Sequence, residues 1–196
     1  MVKELLVVVT GASGTIYADR LLRRAISLVE RVGLVLTSQG AEMAAHELRW
    51  AVDFDTLEIK GAPEEVISQV RHFHPEDLSC RYASGSAAPD AMIVIPCTVG
   101  AVGRIAAGFG DTVMARAAAV CLKEHRPLVL VVREAPLGLV DLRNLTALAE
   151  AGATIMPASP PFYSRPNTIE ELADFFAVRV LDQIGLKVDH PGRWAA

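Results

Sequence analysis

Much of what this 196-residue chain could be is excluded by what it has little of. It has only four lysines (Lys3, Lys60, Lys123, Lys187) beside fifteen arginines. The net charge of −4 and pI near 5.7 offer no electropositive face, which argues against a general nucleic-acid binder. The three cysteines, Cys80, Cys97 and Cys121, are widely spaced with no C-x-x-C, so neither a disulfide framework nor a zinc site is indicated and no metal is expected. Small buried apolar groups are the natural role for them. Apolar runs such as 5–9, 92–95 and 128–132 are too short to span a bilayer. The N-terminus lacks the basic region, apolar stretch and cleavage site of a secretory signal, which makes the cytoplasm the expected location. There is no G-x-S-x-G elbow for a serine hydrolase, no internal repeat and no low-complexity tract.

What is present is 52% hydrophobic and 21% charged, enough for one substantial core and short for two domains. One domain over 1–196 is expected, with the tail from about 186 to 196 contributing to assembly. The arginines, which suit planar recognition of phosphate and carboxylate, also fit a GC-rich genome. The chain is organised around residues 5–14, an apolar run ending in Thr10-Gly11-Ala12-Ser13-Gly14 and leading into a helix from Thr15. A strand buried on both faces, a small-residue turn and a helix N-terminus make a candidate phosphate cradle, although any tight strand-to-helix turn needs small residues. Ser13 stands where a strict G-x-G-x-x-G would have its second glycine, supplying a hydroxyl instead.

Further along, a connection ending at Gly33 precedes a strand over 34–37 and a helix over 41–48, with Ser38 as a cap option. A minor strand over 52–58 and a helix over 64–70 follow, then an irregular excursion to residue 88. His72-x-His74 with Glu76 and Asp77 lacks a third ligand at characteristic spacing and reads as a solvated loop. Strands are expected over 91–95, ended by Pro96, and over 128–132 and 153–156; helices over 99–106, 112–122, 139–150 and 168–184. Thr98 can cap its helix or donate to a ligand, and Thr168-Ile169-Glu170-Glu171 is a capping-box opening. This alternation predicts a three-layer α/β/α Rossmann-like sandwich with a mainly parallel sheet, its ligands outside the carboxyl ends of the strands. Ser13, Thr37, Thr98, Arg133, Glu134 and Tyr163 collect at that edge. A short-chain dehydrogenase would need a tyrosine with a lysine four residues on, but Tyr17, Tyr82 and Tyr163 are followed there by Leu21, Ser86 and Asn167.

Taken together, Thr10-Gly11-Ala12-Ser13-Gly14, Ala83-Ser84-Gly85-Ser86, Ile95-Pro96-Cys97-Thr98, Arg116-Ala117-Ala118, Leu122-Lys123-Glu124, Val132-Arg133-Glu134-Ala135-Pro136, Phe162-Tyr163 and Arg193-Trp194 resemble, in order, the UbiX-type flavin prenyltransferases. The resemblance implies the fold of the flavin-containing cysteine decarboxylases and a homododecamer. The implied reaction is metal-independent and joins dimethylallyl monophosphate to N5 and C6 of reduced FMN, giving prenylated FMN for a UbiD-type decarboxylase. It places FMN on Gly11, Ala12, Ser13, Thr37, Thr98, Val99, Gly100, Ala101 and Arg133. The dimethylallyl phosphate falls to Lys123, Tyr163 and Arg179, with Glu47 and Glu134 beside it as catalytic carboxylates. A phosphopantothenoylcysteine-type decarboxylase and a non-catalytic flavin-binding subunit are the alternatives. Thr37 and Thr98 stand where serine is common in this family and retain the hydroxyl.

Overall fold

In the computed structural model, residues 2–190 and 193 are described. Six parallel strands form one sheet in the order β5-β2-β1-β6-β7-β8. They are β1 (Glu4–Val9), β2 (Arg31–Leu36), β5 (Val70–Phe73), β6 (Ala91–Cys97), β7 (Leu128–Val132) and β8 (Thr154–Pro157). β1 is buried throughout because both of its faces are covered. Leu5, Val7 and Val9 enter one core with α1 (Thr15–Ala25), α2 (Ser38–Leu48) and α7 (Ile169–Asp182). Leu6 and Val8 enter a second core with α4 (Val99–Ala106), α5 (Val113–Lys123) and α6 (Leu139–Glu150). The expected three-layer sandwich is therefore the observed one. Ala115, Ala117 and Ala118 of α5 are fully buried, as a small-residue helix face against the sheet requires.

Several local expectations change. Gly33 lies inside β2 rather than before it, and a Cβ there would sit 2.5 Å from the Tyr82 hydroxyl, so the strand needs a glycine at that point. Pro96 does not end its strand. β6 runs on to Cys97 through a register shift between Val94 and Cys97, and the Pro96 carbonyl accepts from Thr10. The minor strand over 52–58 is instead an antiparallel pair, β3 (Ala51–Val52) with β4 (Ile59–Lys60). The helix expected over 64–70 shrinks to α3 (Glu64–Ile67). His72 belongs to edge strand β5, with Nδ1 3.0 Å from the Leu57 carbonyl, and burial pushes its pKa down. Among the described residues no three His, Cys, Asp or Glu side chains are grouped to hold a metal.

Beyond β5 the chain is tied to the amino end of the sheet. Tyr82 is buried and donates to Glu4 at 2.9 Å, while Arg31 and Arg81 lie 3.1 and 3.2 Å from the same carboxylate. Burial first and the Glu4 carboxylate second push the Tyr82 phenol up. This anchor fixes two short turns of 3-10 helix, Arg81–Ala83 and Gly85–Ala87, below the sheet.

Candidate active site

β1 hands its chain to β2 on one side, and β6 to β7 on the other. The strand order therefore reverses between β1 and β6, and a crevice opens outside their carboxyl ends. Thr10 bridges the two strands there. Its hydroxyl donates to Pro96 O at 2.7 Å and accepts from Thr98 N at 3.0 Å. Two helices begin at the same edge, each capped by a threonine: Thr37 Oγ1 accepts from Gly40 N and Thr98 Oγ1 from Ala101 N. Accepting that bond leaves each hydroxyl hydrogen to donate to a ligand, so capping and binding are compatible.

Backbones approach closely here because glycine permits it. A Cβ on Gly11 would lie 2.5 Å from Gln39 Cβ, and one on Gly40 would lie 2.3 Å from the Val9 carbonyl. The α2 N-terminus is thereby pressed against the β1 turn. The resulting cavity of about 460 Å³ brings Gly11, Thr37, Thr98, Gly100 and Ala101 together. Thr10, Ser38, Gln39, Arg104 and Met114 complete much of its wall, with Pro75 and Glu76 from the irregular segment and Thr112 from the α5 cap. Of these, Arg104 was legible at one helical turn from Gly100, and Thr112 as a cap residue. Nothing local in the sequence marks Pro75 or Glu76 as neighbours of Gly11.

Arg133 directly follows β7, and its backbone N–H donates to Cys97 O at 3.1 Å. Its Nε is buried and, among the described residues, unpartnered. A guanidinium left short of an acceptor at this edge suits an anionic or carbonyl-rich ligand. Two sets of helix-terminal N–H groups, two threonine hydroxyls and this arginine are a donor set that fits a flavin mononucleotide. Ala12 is buried, and Val99 opens α4.

The α1 N-terminus holds an anion of the protein's own. Glu47, from the last turn of α2, accepts from Ser13 Oγ at 2.6 Å, Gly14 N at 2.9 Å, Thr15 N at 2.8 Å and Thr15 Oγ1 at 2.7 Å. Desolvation pushes the Glu47 carboxyl up, but the bonds from Ser13, Thr15 and Gly14 outweigh it and hold the group below its ordinary value. Ser13 and Glu47, expected on different ligands, thus form one unit. The donors expected for the flavin phosphate at this turn are engaged by a carboxylate, while those of α2 and α4 face the cavity.

Of the residues expected on the dimethylallyl phosphate, Tyr163 packs on Phe175 of α7, one helical turn from Arg179, while Lys123 is on the other side of the sheet. Lys123 ends α5 about 16 Å, the length of eleven helical residues, from the capped end at the cavity. Its Nζ lies 3.9 Å from Glu124 Oε1, beside Gly85. Tyr163 follows β8 and meets the Phe175 ring edge-on at 5.8 Å. Arg179 sits in the last turn of α7, in the layer on the other side of the sheet from α5, 3.1 Å from Asp182. Glu134 is exposed just past Arg133, with Oε1 accepting from Ala135 N at 3.1 Å.

The flavoprotein family profile matches residues 2–180. A curated relative, the flavin prenyltransferase UbiX of Methanothermobacter thermautotrophicus, is 39% identical over 194 residues, covering 99% of this chain and 96% of its own. Among solved structures, that of AnUbiX (PadA1) in complex with FMN and dimethylallyl pyrophosphate superposes with a TM-score of 0.87 at 32% identity, covering 100% of this chain and 99% of that one. A dodecameric FMN-dependent UbiX-like decarboxylase from Escherichia coli O157:H7 superposes with a TM-score of 0.85 at 34% identity, covering 98% and 99%.

Proposed function

The chain belongs to the flavoprotein family, among its UbiX-type flavin prenyltransferases, and we propose that it transfers the dimethylallyl group of dimethylallyl monophosphate to reduced FMN, giving prenylated FMN. The observation that carries the reading is the cavity between β1 and β6, where two threonine-capped helix starts converge; the orphaned Arg133 nitrogen lies outside its lining, beside the end of β6. When bound there, reduced FMN supplies the nucleophilic ring positions N5 and C6. Gly11, Thr37, Thr98 and the Gly100-Ala101 turn bind it, with Arg133 meeting an acceptor. Ser38 and Arg104, which also line the cavity, join this set.

Chemistry on a dimethylallyl phosphate requires cations and donors on the leaving phosphate in a water-poor site. Lys123, Tyr163 and Arg179 have the right character, but Lys123 lies in the layer opposite the α7 side where Tyr163 and Arg179 sit, so copies of the protein must meet to build one donor site. A homododecamer with sites between copies is the assembly we propose, and the dodecameric UbiX-like relative supports it. The ionised Glu47 takes up a proton through the Ser13 hydroxyl, and Glu134 orients the cations around the phosphate. A UbiD-type decarboxylase in the cytoplasm is the proposed recipient of the product. A phosphopantothenoylcysteine-type decarboxylase would leave Lys123 and Arg179 without a prenyl phosphate, and the full-length relatedness to prenyltransferases disfavours it.

The test is anaerobic incubation with reduced FMN and dimethylallyl monophosphate, followed by mass analysis of the flavin. A flavin heavier by one dimethylallyl group is expected; an unchanged mass with FMN bound would overturn the reading. A parallel run with the diphosphate shows which donor is used.

A further inference from the structure

At the end of α7, one carboxylate is divided between two arginines. Asp182 receives Arg193 NH2 on Oδ1 at 2.7 Å and Arg193 NH1 on Oδ2 at 3.0 Å, a two-bond fork. Arg179 reaches only Oδ2, with NH1 at 3.1 Å. The remaining donors of Arg193 hold the chain that follows α7: Nε and NH2 lie 2.9 and 2.7 Å from the Val188 carbonyl. These groups line a surface cavity of about 460 Å³ together with Lys187 and Asp189. The Arg179 side chain is 45% exposed and the Asp182 side chain 14%, so the carboxylate is the buried partner and the guanidinium the presented one.

A carboxylate three residues away on the same helix is a competitor for any arginine meant to bind phosphate. Left alone with Asp182, Arg179 could close a two-bond pair that cancels its charge and turns its planar face away from a ligand. With Arg193 present, two guanidiniums share one carboxylate and the trio keeps one positive charge. The fork of Arg193 occupies both oxygens, and Arg179 keeps all but one of its donors for another acceptor.

We propose that Arg193 is a positioning residue for Arg179, occupying Asp182 so that the Arg179 guanidinium keeps most of its donors free of that carboxylate and available to the donor phosphate. The inference rests on the reading that Arg179 binds that phosphate. It gives the tail beyond α7 a part in substrate binding as well as in assembly.

Steady-state prenylation by the assembled protein, with dimethylallyl monophosphate varied at saturating reduced FMN, tests it. Arg193→Ala is expected to raise the KM for the donor about tenfold or more, leaving kcat and the FMN dissociation constant within about twofold. Arg193→Lys should recover only part of this, since an ammonium cannot make the fork. The decisive variant is Arg193→Ala with Asp182→Asn, whose neutral amide no longer captures Arg179. Its KM should return to within about threefold of wild type. An unchanged KM in Arg193→Ala, or a raised KM that Asp182→Asn fails to rescue, overturns the proposal. Should the alanine variant not assemble, Asp182→Asn alone decides: a KM equal to or below wild type supports the proposal, and a raised KM refutes it. Turnover by wild type with no KM change in Arg179→Ala would refute the phosphate reading itself, and the role of Arg193 with it.

Discussion

Glu47 spends its carboxylate on Ser13, Gly14 and Thr15, which makes it an ionised cap for α1. Glu47→Gln keeps the shape but removes the charge, and should cost about 1 kcal/mol of stability at neutral pH. Because the folded group titrates below its ordinary 4.5, its contribution is fully present above that value and is lost as pH falls through the lower folded one. Urea midpoints of wild type and variant should therefore differ at pH 7 and converge in acid; a gap that persists in strong acid would contradict the charge argument. Thr10 gives a sharper case, since Thr10→Val leaves the Thr98 N–H without its acceptor and the Pro96 carbonyl with only the longer bond from the Thr10 N–H. A loss of about 1–3 kcal/mol is expected, lowering Tm by about 2–4 °C per kcal/mol in a calorimetric scan. At this scale the sequence was readable where chemistry is local: Gly11, Thr37 and Thr98 announce turns and caps. The Ser13–Glu47 bond was not, because it joins residues 34 apart through a helix-to-helix approach that only the fold specifies.

Among the elements, the threonine-capped helices contribute stability and, on the proposed reading, binding. Thr37→Ala and Thr98→Ala should each cost about 1 kcal/mol and also weaken FMN binding, whereas the serine variants should keep both. Flavin fluorescence titrations beside thermal melts check this; lost stability with unchanged flavin affinity would mean that these helix starts do not face the ligand. Helices over 99–106 and 139–150 were legible to the residue, because a threonine cap or a clear apolar period marks their limits. β5 was not, since Val70–Phe73 is a four-residue edge strand, half polar, whose pairing with β2 supplies the order that its own sequence does not. Pro96 misled for a related reason: the rule that proline ends a strand gives way where a register shift removes the ladder bond it cannot make.

For the whole molecule, the exposed apolar surface is unevenly distributed. Leu137, Leu139, Val140, Leu142, Phe162, Tyr163 and Ile169 are all exposed, and all lie in or just past the connections that follow β7 and β8. Such a rim marks an interaction surface, and Glu134 and Tyr163 stand on it. Paired Leu139→Asp and Val140→Asp substitutions should dissociate the assembly, read as a fall in mass by light scattering with circular dichroism unchanged. On the proposed reading prenylation should fall with the mass, because Lys123 and Arg179, on opposite layers, would meet at one site only through neighbouring copies. A variant that stays fully assembled would show that this rim is not a contact between copies.

The packing of α1 on α7 also sets a timetable for synthesis. Arg24 pairs with Asp174, 150 residues later, and Leu21 and Leu22 share a core with Phe176, Val180 and Leu181. At roughly 5–20 residues per second, the apolar side of α1 waits about 8–30 s on the ribosome before its cover is made. Until then the growing chain carries a greasy face near its first strand, and a message truncated before α7 would yield a product that chaperones hold or proteases remove, however complete its flavin cavity.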